Sequence, residues 1–100
     1  MKENEFVKRH GWLRAKQILK YAEHEHTHFI ADGMSCTYTN IDVDGFYSLS
    51  CLYKLVDARR IVDLYGGLMF AKEYLNNPST KQDRNTMYLF DSIALVESCQ

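Results

Sequence analysis

The stretch THFIADGMSCTYTNIDVD, from Thr27 to Asp44, decides the fold of this chain. Both ends of the stretch are rich in β-branched and aromatic residues, and between them lies the turn-forming cluster Asp32-Gly33-Met34-Ser35. Two such runs around a short turn predict a β-hairpin, with strands near 26–31 and 36–43. Because an isolated hairpin is marginally stable, we expect one of its faces to lie on helices.

The length of the turn predicts the register of the hairpin. With a two-residue loop at Gly33-Met34, His28 lies opposite Thr39 and Ala31 lies opposite Cys36. Polar and apolar residues alternate along the second strand, so we expect one oily and one polar face. The residues expected on the oily face are Thr39, Ile41 and Val43.

Helical periodicity extends on both sides of the hairpin. Apolar residues recur three and four positions apart, and glycines interrupt the pattern. Helices are expected within about 4–24, 49–76 and 83–98. The apolar side of the last helix is expected to carry Met87, Phe90, Ile93 and Ala94, flanked by Leu89 and Val96. The prediction is an α+β fold, in which three to four helices pack with one β-hairpin in a single small domain over 1–100.

Composition limits the classes of function. The chain has 100 residues, of which 46% are hydrophobic, as is typical of one globular domain. Twelve basic and 13 acidic residues leave a net charge of −1, which argues against a protein that depends on phosphate contacts. Seven tyrosines favour a half-hydrated contact surface, because the ring packs while the hydroxyl stays hydrated.

Other features of the sequence favour a non-enzymatic protein. No apolar run is long enough to span a membrane, and the start lacks the apolar segment of a signal peptide, so a cytoplasmic protein is expected. The three cysteines form no C-x-x-C pair and are expected to be reduced. No phosphate-binding loop or nucleophile elbow is present. We therefore expect no catalytic residue and no cofactor.

Three histidines, His24, His26 and His28, stand at every second position. If a strand began before His24, all three rings would share one face and could supply zinc ligands. The expected register places Cys36 on the other face, however, so no thiolate joins the histidines. We favour a hydrated strand edge or the fringe of an interface. A metal site and a pH-responsive surface are the alternatives, the latter because histidine titrates at about pH 6.5.

Two surfaces are candidates for binding a macromolecule. The favoured one is a protein interface built on the hairpin and on tyrosines, with Tyr38, Asp42, Tyr47 and Tyr53. The alternative is a nucleic-acid site of a small regulator on the first helices, with Lys8, Arg9, Arg14, Lys16 and Lys20. The near-zero net charge favours the protein interface. A free hairpin edge also predicts a homodimer, since free edges tend to be paired or blocked.

Three segments resemble a known group of proteins. They are FVKRHGWLRAKQIL (6–19), LYKLVDARRIVDLYGGLMFAKEYL (52–75) and IALVESC (93–99). Together they resemble small proteins encoded in early or accessory regions of lambdoid phages and prophages of enteric bacteria. Val56-Asp57-Ala58 stands where that group usually has Val-Glu-Ser, and Ser50-Cys51-Leu52 where it has Ser-Asp-Leu.

The shared motifs are helix and cap patterns, so the resemblance implies a phage context and no reaction. It implies a location in the cytoplasm of a bacterial host cell. The expected function is that of a non-enzymatic accessory protein that binds and modulates a host or phage protein, in host takeover or in countering a defence system.

Overall fold

The computed structural model of the chain describes residues 2–32, 34–81 and 83–100. Within these ranges it contains five α-helices and a three-stranded antiparallel sheet. The helices are α1 (Lys2–His10), α2 (Trp12–Tyr21), α3 (Leu49–Leu64), α4 (Leu68–Asn76) and α5 (Arg84–Glu97). The strands are β1 (His28–Ala31), β2 (Cys36–Thr39) and β3 (Tyr47–Ser48). The predicted α+β class is confirmed. In these ranges, no helix is both long and apolar enough to cross a membrane.

Glycines account for the larger number of helices. Gly11 separates α1 from α2 with φ of +90°, and Gly67 precedes α4 with φ of +110°. Residues with a Cβ rarely adopt such angles, so these glycines separate one helix from the next. The amide of Gly11 still donates to the backbone oxygen of Val7, at 2.7 Å, which closes the last turn of α1.

The hairpin has the predicted register. His28 pairs with Thr39, and Ala31 pairs with Cys36. Both strands are shorter than predicted, because β1 starts at His28 and β2 ends at Thr39. Beyond that point the amide of Ile41 donates to the Thr39 hydroxyl instead of to a neighbouring strand.

The third strand was missed by the sequence analysis. Strand β3 pairs antiparallel with β1, which makes the order β2-β1-β3. It consists of Tyr47 and Ser48 alone, and two residues are too few to show a twofold period. The central strand β1 is thus paired with β2 along one edge and, at His28 and Phe29, with β3 along the other.

The assignment of faces on β2 was wrong. Phe29 is fully buried, and its pairing partner Tyr38 therefore lies on the same, inner side of the sheet. Thr39 belongs to the outer side, and Ile41, which follows the strand, is exposed. The Tyr38 ring buries more apolar surface than a threonine can, and its hydroxyl donates to the backbone oxygen of Ile18 at 2.6 Å.

The chain divides into two compact units, Met1–Val56 and Asp57–Gln100. In the first unit Phe6 lies edge-on against Phe29, with ring centroids 5.3 Å apart, and Tyr47 packs on both rings. The buried apolar residues of the second unit are Ala58, Val62, Ala71, Leu89, Ile93, Val96 and Cys99. The single domain expected over 1–100 stays a prediction.

The buried side of α5 also differs from the prediction. Ile93 is buried as expected, together with Leu89 and Val96. Met87 and Phe90 are instead 67% and 66% exposed. Both sets of residues recur at helical spacing, so periodicity could not choose between them. An apolar row on α5 is consequently left outside the core.

Candidate functional site

The turn of the hairpin is held by a dense set of hydrogen bonds. One carboxylate oxygen of Asp32 accepts from the amides of Met34 and Ser35, at 2.7 and 2.8 Å. The hydrogen bonds from these two amides hold the pKa of the Asp32 carboxyl below its ordinary value, and the bond from Met34 has the larger effect. From α2, the guanidinium of Arg14 donates to the backbone oxygens of Ser35, at 2.9 Å, and Asp32, at 3.2 Å. The turn is therefore tied to its own side chain and to a helix.

Met34 occupies this turn and is 97% exposed. Two more exposed apolar residues belong to the hairpin. Ile30 lies on the outer side of the sheet, and Ile41 follows β2. Asp42 is exposed next to Ile41, and one of its carboxylate oxygens lies 3.6 Å from Nε2 of His28. We refer to Ile30, Met34, Ile41 and Asp42 as the hairpin surface.

The four residues predicted for a protein interface differ in exposure. Asp42 and Tyr53 are exposed, with Tyr53 on α3. Tyr38 and Tyr47 are half-buried and take part in internal packing. Desolvation raises the pKa of the Tyr38 hydroxyl to about 12, so it stays protonated as a donor. Tyr38 and Tyr47 therefore support the hairpin from its inner side.

The predicted nucleic-acid residues are not equivalent. Arg14 is half-buried and is engaged by the hairpin turn. The ammonium of Lys20 lies 5.7 Å from the centre of the Tyr21 ring. The exposed members of the set are Lys8, Arg9, Lys16 and Lys20. One of the two guanidinium groups in this set, the kind of group that is best suited to bind phosphate, thus has a structural role.

The three histidines do not share one strand face. Only His28 lies on a strand, because β1 starts there. His26 precedes the strand, and its ring stacks on that of Tyr38 with the ring centroids 5.1 Å apart. Its Nδ1 accepts a hydrogen bond from the amide of Glu23, at 3.0 Å. His24 is exposed between α2 and β1. Among the described residues, no group of three or more His, Cys, Asp or Glu side chains is arranged to hold a metal ion.

Cys36 and Cys99 lack the environment of a nucleophile. Burial raises the pKa of the Cys36 thiol and, likewise, that of the Cys99 thiol. A raised pKa lowers the fraction of thiolate at neutral pH, and the thiolate is the reactive form.

A second exposed surface lies on α5, where the sequence analysis expected core. A groove of about 570 Å³ runs between α4 and α5, with Leu75, Met87, Phe90 and Ile93 as its apolar lining. At one end the ammonium of Lys72 pairs with a carboxylate oxygen of Glu97, at 2.9 Å. The signal for this surface was present in the sequence as a second apolar row on the helix. Comparisons of the chain with protein-family models, curated proteins and solved structures found no match.

Proposed function

We propose that this chain is a non-enzymatic accessory protein of phage type, which binds and modulates a host or phage protein through the hairpin surface. The observation that carries the proposal is Met34, which is 97% exposed on a turn fixed by Asp32 and Arg14. Methionine is a frequent contact residue because its thioether is polarisable and adapts to the shape of a partner.

The fixed turn lowers the cost of binding. A loop that must become ordered in a complex loses conformational entropy, and this loss subtracts from affinity. Here the turn is already held by the carboxylate of Asp32 and by the guanidinium of Arg14. A partner therefore meets an apolar side chain that is carried on a preorganised turn.

Polar groups on the hairpin surface fit the anatomy of a small interface. The exposed side chains of Ile30 and Ile41 extend the apolar area, and Asp42 and His28 provide charge and hydrogen-bonding capacity beside it. An apolar centre with a polar rim is typical of protein-binding surfaces. The expected partner surface has an apolar pocket for Met34 and a hydrogen-bond donor or a cation for Asp42.

Two further points support a role in binding instead of catalysis. The thiols of Cys36 and Cys99 have raised pKa values, which disfavours a cysteine nucleophile. The helix and cap motifs at 6–19, 52–75 and 93–99 resemble those of phage accessory proteins. Host takeover and counter-defence are the processes in which such a binding protein acts.

The test is affinity capture with a matched pair of variants. The tagged chain is used to capture proteins from enteric bacteria before and after phage infection. Met34→Asp should remove the captured partner, because a carboxylate cannot enter an apolar pocket without a large desolvation cost. Met69→Asp is the control, since Met69 is also highly exposed but lies on α4.

If the same partner is still captured by both the Met34→Asp and the Met69→Asp variants, the assignment to the hairpin surface is contradicted. Melting temperatures of both variants, measured beside the unaltered chain, establish that each one is folded. Duplex DNA captured in place of a protein, and lost when the salt concentration is raised several-fold, would favour the nucleic-acid alternative.

A further inference from the structure

The outward face of α5 carries two rows of exposed residues. The apolar row has Met87, Phe90 and Ala94 at positions i, i+3 and i+7. The charged row beside it has Arg84, Tyr88 and Asp91 at positions i, i+4 and i+7. Met87, Tyr88 and Phe90 are all more than half exposed. We refer to these six residues as the α5 face.

We propose that the α5 face is covered by a second copy of this chain, whose α5 packs antiparallel to the first across a two-fold axis near Tyr88. In a two-fold dimer each contact occurs twice, because residue i meets residue j and j meets i. An antiparallel pair of helices also brings the same flank of both helices together. The charged row therefore faces the charged row of the second copy.

The order of charges in this row is complementary to itself. Arg84 and Asp91 stand seven residues, or two helical turns, apart on one flank. An antiparallel partner places Arg84 of one copy opposite Asp91 of the other, and the same pair forms again across the axis. Two identical ion pairs thus follow from a single arrangement.

The apolar row fits the same axis. Met87 of one copy lies opposite Phe90 of the other when the axis passes near Tyr88. The midpoints of the Arg84–Asp91 and Met87–Phe90 pairs both fall within one residue of Tyr88. The axis positions that the charged pair and the apolar pair require therefore agree to within one residue, or about 1.5 Å along the helix. The groove beside Leu75 offers the apolar side chains of the second copy a place to pack.

The balance of charge favours a second copy over a foreign helix. The face has one cation and one anion, so its field attracts neither a strongly basic nor a strongly acidic partner. The neighbouring acidic groups are already engaged, since Asp83 caps α5 and Glu97 pairs with Lys72. The α5 face shares no residue with the hairpin surface, so a dimer there is independent of the proposed function.

The test is sedimentation equilibrium of the full chain over a range of concentrations. The unaltered chain should form a dimer, and both Arg84→Asp and Asp91→Arg should weaken it on the order of tenfold or more, because each puts two pairs of like charges in contact. An equimolar mixture of the two variants should restore association as a mixed dimer. In that dimer, both contacts across the axis join an acidic side chain of the first variant to a basic side chain of the second.

Charge reversals at two other exposed positions serve as controls. Lys54→Asp and Asp44→Arg make the same changes in net charge at other exposed positions and should leave the dimer unchanged. A chain that stays monomeric at all concentrations would overturn the proposal. A dimer whose dissociation constant is unchanged by the two charge reversals would also overturn it, as would a mixture of the two variants that fails to associate. A dimer that responds only to substitutions on β2 would instead place the second copy at the hairpin edge.

Discussion

The carboxylate of Glu3 accepts a hydrogen bond from the backbone amide of Ser48, at 2.8 Å, across 45 positions of sequence. Glu3 lies in α1 and is only 4% exposed, and Ser48 immediately precedes α3. The first amides of a helix have no partner within the helix, and a negative charge near them is favourable. The Ser48 hydroxyl accepts from the amide of Cys51 in the same turn. Two side chains, one of them distant, therefore cap the start of α3.

Removal of the Glu3 carboxylate should destabilise the first unit. We expect Glu3→Ala to lower the free energy of unfolding by about 1–3 kcal/mol, because it leaves a half-buried amide without its partner. Glu5→Ala is the matched control on the same helix, where the side chain is exposed, and should change the free energy by less than about 0.5 kcal/mol. Urea denaturation measures both. Equal effects would show that the cap contributes nothing.

Tyr47 and Tyr53 should respond differently to truncation. Tyr47 packs against Phe6 and Phe29, whereas Tyr53 is 60% exposed. Tyr47→Ala is expected to cost about 2 kcal/mol of stability through lost packing, and Tyr53→Ala less than about 0.5 kcal/mol. Tyr47→Phe should keep most of the stability, since the ring makes the contacts. A small effect of Tyr47→Ala would return this residue to the set of candidate interface residues.

His26 should matter more for stability than His24. His26 stacks on Tyr38 and accepts from the amide of Glu23, so we expect His26→Ala to cost about 1 kcal/mol. His24 is exposed, and His24→Ala should stay within about 0.5 kcal/mol. A chelator should leave the melting temperature unchanged. Stoichiometric zinc in the purified protein, or a large loss of thermal stability with chelator, would instead support a metal site at the histidines.

Arg14 should act on the hairpin turn and not on DNA. Arg14→Ala is expected to lower the free energy of unfolding by about 1 kcal/mol, because two backbone oxygens lose a charged donor. Arg14→Lys should recover only part of this loss, since an ammonium lacks the planar fork that reaches both oxygens. Lys16→Ala is the exposed control. We expect no appreciable duplex binding at physiological salt. Submicromolar binding in a gel shift that is lost in Arg14→Glu would favour the nucleic-acid alternative.

Acid should destabilise the protein partly through Asp32 and Asp83. The amides of Met34 and Thr86, respectively, hold the pKa values of these carboxyls below the ordinary value of 3.8. The unfolded chain therefore binds protons first as the pH falls below 3.8, so their stabilisation is complete above that pH and is lost as the pH passes through the lower, folded values.

We accordingly expect a variant with both Asp32→Asn and Asp83→Asn to lose less stability than the unaltered chain between about pH 5 and pH 2. The urea midpoint at each pH measures the difference. The pair Asp44→Asn and Glu73→Gln serves as the exposed control. An unchanged acid dependence in the first variant would mean that the two carboxylates do not contribute.

The local features of this fold were determined by the sequence alone. The turn residues at 32–35 predicted the hairpin and its register, because the length of a tight turn sets which residues face each other. Glycines predicted where helical patterns are interrupted, because only glycine readily adopts the positive φ seen at Gly11 and Gly67.

Contacts between distant residues decided the rest. On α5 two apolar rows had the same helical period, and packing within the second unit buried Leu89 and Val96 while it left Met87 and Phe90 exposed. Strand β3 exists because β1 has a free edge for Tyr47, and the cap of α3 exists because Glu3 lies within reach of Ser48. Local periodicity reports only the polarity of each residue and its spacing along the chain. Burial depends on which surface a neighbouring element covers, and only the tertiary structure decides that.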